Sequence, residues 1–156
     1  MTKHTTPAEA QALAEAVAAA MFARDRAANA LGIKIERVGP GVSHLSMPVR
    51  GDMVNGHHIC HGGLIFALAD TAFAYACNSD NRNTVASACH IDFLAPGMEN
   101  DTLDAEAVER SQSGRTGVYD VTVTSRQSGK TVALFRGKSY RIAGEVIAGL
   151  AGESAA

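Results

Sequence analysis

Apolar and polar positions recur along this chain with changing periods, and each change marks an element. Thr6-Pro7-Ala8-Glu9 opens the first element. Thr6 can cap a helix, Pro7 suits the first helical position, and Glu9 completes a capping box. The alanine-rich run that follows predicts one helix over residues 6–31, ended by Gly32. Ile33, Ile35 and Val38 then begin a period-two pattern. Gly39-Pro40-Gly41 makes a turn, and Leu45, Met47 and Val49 alternate along a returning strand. A polar loop occupies residues 50–60. From Gly62 to Cys77 nearly every residue is apolar, and Asn78-Ser79-Asp80-Asn81 ends the run. A helix that is apolar almost all round must be buried on most sides.

Strand patterns fill the rest. Val85, Cys89, Ile91 and Phe93 are predicted to share one face of a strand that stops at Pro96-Gly97. Leu103, Ala105 and Ala107 alternate with Asp104, Glu106 and Val108 in a second strand. Tyr119, Val121 and Val123 alternate with Asp120, Thr122 and Thr124 in a third. The last runs from about Thr131 to Arg141. Ser113-Gly114 and Ser128-Gly129 are hairpin signals, so these last three strands should be antiparallel neighbours. The order helix, two strands, helix, four strands predicts an α+β fold in which an antiparallel sheet curls around the central helix. One domain over 1–156 is expected: helix 6–31, core 32–142 and a loosely ordered alanine- and glycine-rich tail, 143–156.

Composition narrows the function classes. Apolar residues are 46% and charged residues 19%, within the range of an ordinary globular protein. A net charge of -2 supplies no field that would draw in nucleic acid or an anionic membrane. Cys60, Cys77 and Cys89 are odd in number and lack a CxxC spacing, so reduced thiols and a cytoplasmic location are expected. No uninterrupted apolar run reaches the roughly 20 residues of a membrane span.

The candidate chemistry lies where the polar loop meets the central helix, in Asn55-Gly56-His57-His58-Ile59-Cys60-His61-Gly62-Gly63. Glycines at a helix start leave backbone N–H groups uncovered, and the helix dipole adds partial positive charge there. Such a point suits a carbonyl oxygen that gains negative charge during reaction. Asp70, set among Leu68, Ala69, Ala72 and Phe73, is a carboxylate where burial needs a purpose. Eight residues of helix separate Gly62 from Asp70, roughly 12 Å along the axis and about 80° around it. A general base must come within roughly 3 Å of its proton or act through one water. If both groups serve one carbonyl, each must come from a different subunit of a two-fold dimer.

Asn55-(x5)-His61-Gly62-Gly63-(x6)-Asp70, followed by Phe73-Ala74-Tyr75-Ala76-Cys77-Asn78, resembles the hot-dog-fold acyl-CoA thioesterases, and among them the phenylacetic acid degradation (PaaI) type. Ile91-Asp92-Phe93-Leu94-Ala95-Pro96-Gly97 and Thr116-Gly117-Val118-Tyr119-Asp120 are similar to that subgroup as well. The likeness runs from about Leu31 to Ile142. It implies an oxyanion-hole N–H from Gly62, with Asp70 of the other subunit as nucleophile or as base on water. It further implies that Asn55 and His61 position the thioester or the water. Gly63 and Thr71 are expected beside the substrate, Thr71 either hydrogen-bonding or simply packing. Thiolate leaves readily, so one good donor and one carboxylate suffice, and no metal or redox cofactor is needed. The expected substrate is an aryl-acetyl-CoA such as phenylacetyl-CoA or a ring-hydroxylated form. The expected assembly is a dimer with shared sites, paired into a dimer of dimers. For the phosphates of coenzyme A the candidates are Arg82, Arg115, Arg136 and Lys138, with Arg115 favoured because Gly114 beside it leaves N–H groups open.

Three rival readings remain. His57, His58, Cys60 and His61 could hold a metal, although four such close ligands would crowd one another. His61 and Asp70 could serve an acyl-thioester hydratase or dehydratase. In a non-catalytic acyl-CoA-binding module, Asp70 would be structural.

Overall fold

The structure is a computed structural model that describes residues 5–150. Two helices come first, α1 (Pro7–Arg24) and α2 (Arg26–Ala30). Strands β1 (Lys34–Gly39) and β2 (Val42–Pro48) follow, then a short 3-10 turn, Gly51–Met53, and the long helix α3 (Gly62–Cys77). Strands β3 (Arg82–Phe93), β4 (Thr102–Ser113), β5 (Thr116–Ser125) and β6 (Thr131–Glu145) complete the chain. All six strands form one antiparallel sheet in the order β1-β2-β4-β5-β6-β3. The sheet wraps α3, which is the hot-dog arrangement.

The apolar sequence of α3 explains its place. Leu68, Ala69, Ala72, Phe73 and Ala76 are buried, facing the inward side chains Leu45, Met47, Leu103, Ala105, Val121 and Phe135. Phe73 packs edge-on against Tyr119, with centroids 5.5 Å apart, and lies against Gly137 of β6, where an added Cβ would meet its ring at 2.9 Å. Glycine at 137 therefore sets how closely the helix approaches the sheet. Cutting Phe73 back to alanine should cost about 3–5 kcal/mol, as for other buried aromatic truncations.

Three expectations need correcting. The N-terminal helix is not continuous over 6–31 but breaks at Asp25. That side chain accepts a hydrogen bond from the Ala28 N–H and caps α2, while Tyr75 Oη donates to its second oxygen over 3.3 Å. A short carboxylate that bonds the backbone competes with helix continuation. Val85 does not share a face with Cys89, Ile91 and Phe93. A register shift between Ala86 and Ala88 pairs Val85 with Tyr140 and Cys89 with Gly137, so the two point to opposite faces. The last strand runs on to Glu145, into the stretch expected to be a loose tail, and Asn81 fastens the backbone of Ile147 through both its amide atoms. The remainder of that tail, 151–156, lies outside the described residues.

The two sheet edges differ. Edge strand β1 carries Lys34, Glu36 and Arg37 and is flanked by α1, whose Gln11 amide donates to the Val38 carbonyl over 2.7 Å. Edge strand β3 has no charged residue from Asn83 to Cys89, and most of its length is exposed. Charge guards the first edge and leaves the second open to pairing.

Candidate active site

The loop before α3 is held by its own backbone. His61 N–H donates to the Met53 carbonyl and Cys60 N–H to the Gly97 carbonyl, each over 2.8 Å. Asn55 organises the turn between them. Its Oδ1 accepts from the N–H groups of His57 (2.9 Å) and Ile59 (3.4 Å), and its N–H donates to the Ile59 carbonyl. Among the described residues nothing engages the Asn55 amide nitrogen, and Asn55 lines the adjoining cleft.

The first turn of a helix has N–H groups without partners inside the helix, and here they can be followed one by one. Leu64 and Ile65 N–H groups donate to the His61 carbonyl at 2.9 and 3.2 Å. Gly63 N–H donates to His61 Nδ1 at 2.9 Å. Gly62 N–H alone has no acceptor among the described residues, and Gly62 lines the cleft. The cap also fixes the tautomer of a neutral His61: Nδ1 accepts, so the proton sits on Nε2. Of the two glycines, Gly62 therefore offers the free donor, whereas Gly63 has its N–H occupied.

The cleft has a volume of about 440 Å³ and is walled by Asn55, Ile59, Gly62, Ile65, Phe93 and Leu94. The Phe93 ring lies against Gly62, so a Cβ at 62 would stand 3.1 Å from Phe93 Cζ. Phe93, Leu94, Ile59 and Ile65 carried no sequence-based assignment to the site. The signal for Phe93 and Leu94 was their place in the stretch Ile91–Gly97 that is similar to the PaaI subgroup, and Ile59 lay within the candidate loop, but neither fact assigned them a role.

Asp70 projects from the same uninterrupted helix, two turns on. It is half-buried, and no hydrogen bond or ion pair reaches its carboxylate among the described residues. Burial raises its pKa above the ordinary carboxylate value. That contrasts with Asp104 and Asp120, whose carboxyls are held below the usual range by hydrogen bonds to Arg126 and Arg136. Asp70 stands on a stripe of α3 that the chain leaves only partly covered, with Phe66, Ala67, Thr71 and Ala74. Thr71 spends its hydroxyl on the Ala67 carbonyl at 2.6 Å.

The structure thus brings Asn55, His61, Gly62 and Gly63 together and sets Asp70 and Thr71 about 12 Å further along the helix. Arg115 is not brought to this cleft within one chain. It follows the β4–β5 turn, beside Thr116, which pairs with Tyr140, whereas Phe93 pairs with Ala133. Seven residues of β6 separate those points, roughly 23 Å. Arg136 is engaged bidentately by Asp120. As for a metal, His57 and His58 are exposed, and Cys60 is buried with its thiol pushed up to about 11. His61 Nδ1 is occupied by its cap. Among the described residues no three ligating side chains converge.

A sheet wrapped around one central helix defines the hot-dog fold, and that helix carries a free N–H at its start and an unpaired carboxylate two turns on. The family model of the thioesterase superfamily matches residues 57–132, and the chain belongs to that superfamily. Among curated relatives, the acyl-coenzyme A thioesterase PaaI of Escherichia coli K12 is 55% identical over 127 residues, 81% of this chain and 90% of that protein. The solved structure of the E. coli PaaI protein from the phenylacetic acid degradation operon matches with a TM-score of 0.85 and 53% identity, over 86% of this chain and 97% of that one. A mutant structure of the phenylacetic acid degradation protein PaaI from Thermus thermophilus matches with a TM-score of 0.72 and 40% identity, over 76% and 100%.

Proposed function

We propose that this protein hydrolyses acyl-CoA thioesters with an aryl-acetyl acyl group, phenylacetyl or a ring-hydroxylated form, in a site shared between two subunits. The observation that carries the reaction is the pair of unengaged groups on α3: the Gly62 N–H and the Asp70 carboxylate. The likeness to E. coli PaaI supports the substrate class.

In this reading the thioester carbonyl accepts a hydrogen bond from Gly62 N–H at the positive end of α3. That donor stabilises the oxyanion as the tetrahedral intermediate forms. The partner subunit's Asp70 either takes a proton from water, which attacks the carbonyl carbon, or attacks that carbon itself. Both roles need the ionised carboxylate. Collapse of the intermediate breaks the carbon–sulfur bond and releases coenzyme A as the thiolate. On the water route the acid forms at once, and that Asp70 passes its proton to the thiolate or solvent. Direct attack instead leaves a mixed anhydride on Asp70, which water cleaves in a second step to the acid and the free carboxylate. The Asn55 amide and His61 Nε2–H are the donors that hold the thioester or the water. No metal or redox cofactor enters these steps.

The same geometry supports a dimer. The uncharged, open stretch of β3 from Asn83 to Cys89 invites antiparallel pairing with a second β3. Such pairing sets the two α3 helices antiparallel. A two-fold axis near Phe66, midway between positions 62 and 70, would then face Gly62 of one chain with the partner subunit's Asp70. Further pairing into a dimer of dimers and a cytoplasmic location belong to the same reading. No helix among the described residues is long and apolar enough to cross a membrane. Arg115, distant from the cleft of its own chain, would meet coenzyme A phosphates only at a site formed with another subunit.

The test is thiol release from phenylacetyl-CoA and a set of aliphatic acyl-CoAs, with wild type and Asp70→Ala assayed together. Rapid release by wild type, lost by orders of magnitude in the mutant, is the expected result. A well-folded wild type that releases no thiol from any of them would overturn the reading in favour of a binding module.

A further inference from the structure

We infer that Phe93 selects the acyl group: its ring is the wall on which an aromatic acyl ring packs when the thioester carbonyl sits on Gly62 N–H. This rests on the thioester reading above and adds the contact that separates aryl from alkyl substrates.

Phe93 is placed where it can do this and little else. Phe73 in the core and Phe66 at its margin each pack against Phe135, with centroids 5.9 and 5.4 Å apart. Phe93 sits outside that cluster at the end of β3, with 52% of its surface open. Its ring nevertheless lies over the helix start, where a Cβ added at Gly62 would stand 3.1 Å from Phe93 Cζ. The backbone behind it is fastened. Phe93 pairs with Ala133, and the N–H groups of Leu94 and Ala95 both donate to the Val132 carbonyl, at 2.8 and 3.2 Å. A large aromatic side chain on a fixed backbone, half open to a cleft, is a preformed recognition surface.

The chemistry of the cleft sets the class of group it takes. Ile59, Ile65 and Leu94 complete an apolar wall, Asn55 and the Gly62 N–H are its polar groups, and no lysine or arginine lines it. It is therefore built for an uncharged apolar moiety rather than for phosphates. An arylacetyl group carries its ring one methylene from the carbonyl. With the carbonyl oxygen on Gly62 N–H, that ring falls within reach of the residue lying over Gly62. Edge-to-face or offset contact between two aromatic rings adds to simple burial, and an alkyl chain does not obtain it.

The experiment compares kcat/KM for phenylacetyl-CoA and hexanoyl-CoA in wild type, Phe93→Leu and Phe93→Tyr, with thermal melting as the folding control. Leucine keeps an apolar side chain and removes the π face, whereas tyrosine keeps the ring. The aryl-to-alkyl ratio of kcat/KM should fall roughly three- to tenfold in Phe93→Leu, over and above any loss that both substrates share, and should survive in Phe93→Tyr. An unchanged ratio in Phe93→Leu, or an equal fall on both substrates, overturns the assignment and leaves the thioesterase reading standing. If Phe93→Leu does not fold, Phe93→Met takes its place under the same criteria. A wild type inactive on both substrates overturns the thioester reading, and this assignment with it.

Discussion

Mixing two inactive variants tests the shared site directly. Gly62 and Asp70 lie on one unbroken helix, about 12 Å apart and about 80° around its axis, and no flexing of side chains closes that gap. The first variant is Asp70→Asn, which keeps the shape and removes the charge. The second is Gly62→Val, whose side chain must displace the Phe93 ring that already leaves a bare Cβ only 3.1 Å of room. Each homodimer carries two defective sites. A heterodimer carries one site with both groups intact and one with both altered. Random association makes about half of all dimers heterodimers, each with one working site of two, so about 25% of wild-type activity should return. The assay is thiol release after co-refolding or co-expression of equal amounts, with dimer formation checked by size-exclusion chromatography. Activity no greater than the sum of the parents, in a preparation shown to contain heterodimers, would refute the geometry.

Other expectations bear on single residues. Burial raises the Asp70 pKa, so the folded chain binds a proton there more readily than the unfolded one. Between the unfolded and folded values stability falls as pH rises, and above both the full cost is present. Asp70→Asn should therefore melt higher than wild type at neutral pH, the difference vanishing in acid below about 3.9, while kcat drops roughly 10²–10⁴-fold. A lower melting temperature at neutral pH would show that the carboxylate is stabilised after all. The wild-type rate needs the ionised form, so its acidic limb should lie above the ordinary carboxylate value, as a pH–rate profile will read. At the helix start, His61→Ala removes the Nδ1 cap on Gly63 and should cost about 1 kcal/mol in chemical denaturation. His61→Asn restores a capping acceptor and should recover stability but not rate. Full rate in His61→Asn would reduce His61 to a cap.

Much of this was legible because the signals were local. The capping box at Thr6, the turn at Gly39-Pro40-Gly41 and the alternation of Leu103, Ala105 and Ala107 each depend on near neighbours in sequence, and the structure has them as expected. The hot-dog wrapping also followed from one local fact, that Gly62–Cys77 is apolar on nearly every side. What was hidden depends on distant contacts. The break at Asp25 involves Tyr75, fifty residues on. The extra length of β6 depends on pairing between Arg82 and Glu145. The register shift that turns Val85 away from Cys89 leaves no mark in a period-two pattern. At the site, glycine and histidine at a helix start were readable as chemistry, whereas Phe93 stood in a family-like stretch, Ile91–Gly97, with nothing to give it a role. Only the fold shows its ring against Gly62.

The unpaired groups of this subunit point to a link between assembly and catalysis. A monomer would keep a half-buried carboxylate without a partner and a strand edge, uncharged from Asn83 to Cys89, without a neighbour, both of which carry a cost. In the proposed dimer, antiparallel pairing at β3 would cover the edge and bring the uncovered stripe of α3 against its own copy. The stripe is not symmetric about an arbitrary point. Only an axis near Phe66 places position 62 opposite position 70. A slip of one helical turn along α3 would move the two groups roughly 5 Å past each other, beyond the reach of a general base acting even through one water. The interface that satisfies the edge must then also be held in the register that serves the chemistry. Substitutions at Phe66 or Ala67, which touch no substrate in this arrangement, should therefore lower kcat whenever they shift that register, even where the dimer itself survives.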